Sequence, residues 1–271
     1  MIAHNPIVET YSLLADKYDD EINLRSCWGQ ASTRALARIH LKDSYRVVID
    51  AGCGTGRALL ALATQNPSVQ FVGIDPALNM RKLAICRTTG CGNVQILNGC
   101  FEQLPLESLS VDYLYSIFAF HWTTDLEASI KELSRVLKHT GELDLFFIGR
   151  NNGKEFIAST TPIFFKHMGP TRLLASARMR KQLTKDTAVA LLGDAFSPSR
   201  LLVEESYDTY YDTLDGHWGW WVRIEGHFMQ VSADTKQACY DEVRHALSRL
   251  AIEGDRIPYT IHQLHVSVRR P

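Results

Sequence analysis

The sequence predicts an α/β fold, a mostly parallel seven-stranded sheet with helices on both faces and a helical insertion serving as a lid. Three observations carry this expectation. Between residues 45 and 150, five short apolar runs alternate with segments of helical period. A Gly-rich turn, Asp50-Ala51-Gly52-Cys53-Gly54-Thr55-Gly56, follows the first run. Two later segments, Leu201–Tyr211 and Tyr259–Arg269, show the alternation expected of an antiparallel edge pair.

Tyr45–Asp50 reads as the first strand, and Arg57–Gln65 as the helix after the turn. Val69–Ile74 is a second strand, Ala77–Arg87 a helix, and Val94–Leu97 a short third strand. Val111–Phe118 is a fourth strand, Leu126–Leu137 an amphipathic helix, and Glu142–Ile148 a fifth strand. Strands that are apolar throughout and separated by helices imply a parallel sheet covered on both faces. Such sheets bind ligands beyond the carboxyl ends of their strands, where the strand order reverses. Residues 151–200 read as a helical insertion over those ends, with a basic stretch from Arg172 to Lys185.

The chain has 271 residues and a formal net charge of −1, so no global field draws it to nucleic acid or an anionic membrane. Its six cysteines form no Cys-x-x-Cys pair, and no metal site is expected. The first 20 residues carry acids where a secretory signal would carry an apolar core. No apolar run approaches the roughly 20 residues that span a bilayer. A cytoplasmic protein with reduced thiols is the expectation.

The Gly-rich turn carries the chemistry. Glycines at alternate positions permit positive φ and close approach of a ligand to the backbone. The helix that follows offers free N–H groups to a carboxylate or phosphate. A dinucleotide enzyme uses a similar turn, but its spacing is G-x-G-x-x-G rather than the G-x-G-x-G found here. Asp50, just before the first glycine, would repel a pyrophosphate yet suits an ammonium group. Asp75 closes the second strand, where a carboxylate accepts from both hydroxyls of a ribose.

In order, VVIDAGCGTG, FVGIDPALNM, CFEQLP, SVDYLYSIFAFHW and RVLKHTGELDLFFI resemble the motifs of class I S-adenosylmethionine-dependent methyltransferases, whose fold is Rossmann-like. The resemblance covers roughly residues 8–150. Within the class it is most similar to the branch of malonyl-carrier O-methyltransferases and trans-aconitate methyltransferases, through Phe120-His121-Trp122. It implies one methyltransferase domain over 1–271. Residues 1–25 would be an N-terminal cap, 45–150 the cofactor-binding core, and 201–271 the last strands with a substrate-lid region.

By this resemblance Gly52, Cys53 and Gly54 line the methionine end of S-adenosylmethionine. Asp50 reaches its ammonium directly or through water, or else serves as a structural acid. Asp75 holds the ribose, and Pro76 and Ala77 wall the adenine. Relatives often place an Asp at the third motif, where this chain has Gly99-Cys100-Phe101-Glu102. Cys100 accepts hydrogen bonds poorly, so adenine would rest on backbone groups and on Phe101. Glu102 reads as a structural acid. Tyr11 or Tyr18 of the cap would press on the sulfonium, or simply pack.

Methyl transfer is an in-line displacement, and the protein's part is to align the acceptor and exclude water. His121 is the candidate general base for a protonated acceptor; its alternative is a hydrogen bond to backbone. A carboxylate acceptor needs no base. Trp122, Trp218, Trp221, Arg223 and Phe228 are candidate walls of an acceptor pocket, with hydrophobic core as the alternative for the tryptophans. The expected function is therefore O-, N- or C-methylation of a small or carrier-linked acceptor, with specialised metabolism one setting for it. A non-catalytic cofactor-binding protein and an NAD(P)-dependent oxidoreductase are the competing readings.

Overall fold

A computed structural model describes residues 6–197, 200–229 and 231–269, with backbone only for 223–228. Seven strands form one sheet in the order β3-β2-β1-β4-β5-β7-β6. They are β1 (Val47–Ala51), β2 (Gln70–Asp75), β3 (Val94–Asn98), β4 (Val111–Ile117), β5 (Leu137–Ile148), β6 (Arg200–Asp212) and β7 (Ile257–Arg269). The first five run parallel. β7 enters antiparallel between β5 and β6, so the two late segments complete the sheet as the alternation predicts.

Along β1, alternation sends Val48 to one face and Ile49 to the other. Val48 packs with Ala35, Leu59 and Ala63, from α3 (Cys27–Ala37) and α4 (Arg57–Gln65). Ile49 joins Leu133, Leu192 and Val266, which brings in α6 (Leu126–Val136) and α8 (Lys185–Ala195). Asp125 fixes the start of α6 by accepting from the Ala128 N–H at 3.0 Å. The remaining early helices are α1 (Pro6–Tyr18), α2 (Glu21–Arg25) and α5 (Leu78–Arg87).

Residues 151–200 divide between two tasks. α7 (Lys154–Arg178) bends at Gly169, whose φ of 74° departs from helical geometry immediately before Pro170. Its first half packs Phe156 and Phe164 into an aromatic core with Trp220, Trp221 and Tyr259. Its second half passes over the strand ends, and α8 returns to the sheet face. That aromatic core also takes in α9 (Leu214–Phe228) and α10 (Ala233–Ser248).

Most strand boundaries shift by one or two residues from expectation, and two of the differences stand out. β4 stops at Ile117 rather than Phe118, because Phe118 adopts φ of 52° and turns the chain off the sheet. β5 begins at Leu137 rather than Glu142, pairing Leu137 with Val111 across a register shift.

Candidate functional site

The strand order reverses at β1, with β2 and β4 on either side, and the two strand ends approach closely there. Gly52, at φ 79°, lies so near Ala119 that a Cβ on it would fall 2.2 Å from the Ala119 Cβ. Only glycine allows both the backbone conformation and the contact. Gly54 also has positive φ, 53°, yet a Cβ there would meet nothing within 4 Å. The turn is thus packed on one side and open on the other. It opens into a cavity of about 1070 Å³ at the carboxyl ends of the strands.

Asp75 is a buried carboxylate on the wall of that cavity. Its Oδ2 accepts from the Gly54 N–H at 2.9 Å and its Oδ1 from the Ala77 N–H at 2.8 Å. Burial raises its pKa above the ordinary carboxylate value, against the pull of those two donors and of Arg81. Each oxygen retains acceptor capacity for a diol. Pro76, Ala77, Cys100 and Phe101 continue the wall. Phe101 is braced edge-on by Phe120, with ring centroids 5.3 Å apart.

Glu102 holds the next loop in place. Its Oε1 accepts from the Thr123 hydroxyl, the Thr124 hydroxyl and N–H, and the Asp125 N–H. Burial alone would raise its pKa, but these donors outweigh it and hold the carboxyl at about 2. It is the structural acid that the sequence implied, although its side chain also borders the cavity.

α1 closes the cavity from above with Ile7, Val8, Tyr11 and Tyr18. It is seated on α5 by the Asn79 N–H to Ser12 hydroxyl bond at 3.1 Å and by an Asp19–Arg87 ion pair at 2.7 Å. Tyr11 meets Trp122 edge-on, with ring centroids 5.9 Å apart. Burial, with help from Asp19 and Asp75, pushes the Tyr18 hydroxyl up to about 12.

Residues 49–144 match the methyltransferase domain family. The chain is 34% identical over 134 residues to a malonyl-[acyl-carrier protein] O-methyltransferase of Methylovorus sp. strain MP688, covering 47% of this chain and 45% of that protein. It is 25% identical over 175 residues to a Campylobacter jejuni ubiquinone/menaquinone biosynthesis C-methyltransferase, covering 61% of this chain and 73% of that one. The crystal structure of the YcgJ protein from Bacillus subtilis superposes with TM-score 0.61 at 18% identity, over 90% of this chain and 99% of that one. Residues 49–144 of the chain thus resemble a methyltransferase domain. The chain spans about half the length of the malonyl-carrier relatives it matches.

Tyr11, Gly52, Gly54, Asp75, Pro76, Cys100, Phe101 and Trp122 all border the main cavity. Asp50, Cys53 and His121 stand behind its wall. Cys53 is 8% exposed, with its sulfur packed beside Gly73. His121 is 3% exposed in the turn after β4, and its Nδ1 is enclosed without a partner. Burial drives its pKa well below the usual imidazole value, and the Arg180 cation adds to this. The His121 carbonyl accepts from the Lys181 N–H at 2.8 Å and ties the insertion to the β4 turn; this is a main-chain bond, not the side-chain bond to backbone that the alternative reading expected.

The tryptophans separate. Trp221 is 4% exposed and stacked against Phe164, and it lines a second pocket of about 230 Å³ that shares Trp122 and Met179 with the main cavity. Trp218 borders neither pocket. It packs between Trp221, Tyr240 and the Arg244 guanidinium, half-buried against the aromatic core. The side chains of Arg223 and Phe228 lie outside the described residues. Sequence reasoning missed Arg178 and Lys181 as residues of the cavity mouth. The basic stretch from Arg172 to Lys185 was the available signal, but only the bend at Gly169 brings it over the strand ends.

Proposed function

We propose that this chain transfers a methyl group from S-adenosylmethionine to a small or carrier-linked organic acceptor. One observation carries the reading. Asp75 stands on the wall of the cavity at the strand-order reversal, both its oxygens aimed by backbone donors and both with acceptor capacity left. The positive-φ glycines beside it leave the backbone open to a ligand, and the site fits the nucleoside and amino-acid ends of this cofactor.

S-adenosylmethionine supplies an electrophilic methyl group on a sulfonium. The chain's own residues bind, orient and exclude water. Asp75 holds the ribose diol, Cys100 and Phe101 flank the base, and Gly52 and Gly54 border the amino-acid end. α1 with Tyr11 covers the cavity, and Trp122 stands between it and the second pocket. Well-oriented reactants recover about 7–11 kcal/mol of barrier in this way. The similarity to a malonyl-carrier O-methyltransferase and to a quinone C-methyltransferase supports acceptors of either kind. No helix among the described residues is long and apolar enough to cross a membrane, and we assign the protein to the cytoplasm.

Titration calorimetry with S-adenosylhomocysteine and with NADH tests this. Micromolar binding of the first, about −8 kcal/mol, with none of the second, is the expected result. The reverse would replace the reading with an oxidoreductase.

A further inference from the structure

The second pocket lies behind Trp122, walled by Phe156 and Phe164 of α7, Leu173 beyond its bend, Trp221 of α9 and Tyr259 of β7. An apolar cavity of about 150 Å³ takes up benzene. At about 230 Å³ this pocket has room for a substituted ring and is far too small for a nucleoside. Arg180 is its one charged lining residue among the described residues, and that guanidinium lies over the Trp122 ring, 5.1 Å from its centroid.

Two amide side chains interrupt the apolar wall. Asn152 is 2% exposed; its Nδ2 donates to the Tyr259 hydroxyl at 3.0 Å, while its Oδ1 meets no partner. Gln182 presents an enclosed Nε2, also without a partner. Turning either amide over only changes which of its atoms is left. Enclosed polar atoms cost free energy when they go unpaired, and ligand sites are where such atoms find their use. The backbone is drawn close to make the position: Gly153, at φ 63°, would place a Cβ 2.6 Å from the Tyr259 hydroxyl.

We infer that this pocket holds the body of the methyl acceptor, a neutral aromatic or alicyclic ring whose hydroxyl or amide N–H donates to Asn152. Gln182 supplies a complementary donor, and Trp122 sets the boundary past which the accepting atom reaches the main cavity. The inference rests on the methyl-transfer reading and gives it a substrate class.

The probes are p-cresol, a ring with a donor, and toluene, the same ring without one. Each is titrated into the full chain by ligand-observed NMR, with and without S-adenosylhomocysteine. p-Cresol should bind about fivefold more tightly than toluene, and Asn152→Leu should abolish that preference. Ala177→Phe, an exposed position on the pocket rim, should weaken both probes at least tenfold while S-adenosylhomocysteine affinity stays unchanged. Equal binding of the two probes to the wild type, or p-cresol binding indifferent to Ala177→Phe, overturns the inference. A chain that takes p-cresol as described but not S-adenosylhomocysteine keeps the pocket and overturns the methyl-transfer reading instead.

Discussion

The Tyr115 hydroxyl donates to the Asp50 carboxylate at 3.0 Å, with both side chains buried where β1 meets the Gly-rich turn. Sheet register causes this, since Asp50 and Tyr115 are direct partners in the β1–β4 pair. Burial pushes Asp50 from 3.8 to about 7, Tyr115 pulls it down, and Asp75 pushes it up. A folded-state pKa raised in this way means that the folded chain binds more protons than the unfolded one between about pH 4 and 7. The stability contributed by protonated Asp50 is complete below the unfolded value and is lost as pH rises through about 7. Asp50→Asn should therefore flatten the pH dependence and stabilise the fold at pH 8 relative to pH 5 by about 1–3 kcal/mol. Urea unfolding at the two pH values measures it.

Asp75→Ala should weaken S-adenosylhomocysteine binding at least tenfold, about 1.4 kcal/mol, because the diol loses its acceptor and Gly54 its anchor. Unchanged affinity by calorimetry would sink the cofactor assignment.

His121→Gln should lower turnover less than tenfold and cost stability, because the ring sits behind the cavity wall among buried groups. A positioned general base contributes about 10²-fold or more. A hundredfold loss in kcat from a chain with an unchanged melting temperature would make His121 the base after all.

Asp144 is 1% exposed and accepts from three side chains: Tyr113 at 2.6 Å, His265 at 2.7 Å and Arg269 at 2.7 Å. These donors come from β4 and β7, on either side of β5. Asp144→Ala would leave the Tyr113 hydroxyl without its acceptor and His265 and Arg269 with only their remaining carboxylate partners, Glu204 and Glu142, and breaking a buried charge cluster costs about 3–5 kcal/mol. The midpoint of denaturant unfolding should fall accordingly; a change under 1 kcal/mol would show the cluster to be dispensable.

α1 buries only Ile7, Thr10 and Ala15, too little apolar area to fix it firmly without a ligand. Its amides should exchange at least tenfold more slowly with S-adenosylhomocysteine bound, and Arg87→Ala should speed exchange in the free chain. Equal protection in both states would argue against a cover that orders on binding.

Much of this was legible from the residues. The central parallel strands announce themselves because both faces are buried, which leaves short apolar runs such as Val47-Val48-Ile49, whereas the edge strand β3 is only half-buried. Asp75 and the glycines are legible because a strand-tip acid and alternate glycines have few other uses. The helices α2, α3 and α10 were not. α3 buries small residues, Cys27, Ala31 and Ala35, which carry little apolar signal. α10 shows only Cys239, Val243 and Leu247 among charged neighbours. Asn152 and Gln182 lie 30 residues apart and share a pocket only through the path of α7, so no local pattern marks them. Trp218 and Trp221 share a helix face as their spacing implies, yet Arg244 and Tyr240 cover one of them.

The bend at Gly169 makes α7 two pieces with separate duties. The piece before it is locked among aromatic rings, and the piece after it touches the cavity through Ala175, Arg178 and Met179. A Cβ at Gly169 would meet nothing within 4 Å, so the bend itself is unobstructed. The stretch from Gly169 to Lys181 therefore reaches both pockets, through Leu173, Arg178, Met179 and Arg180, without belonging to the strand ends that carry Asp75 and the glycine turn.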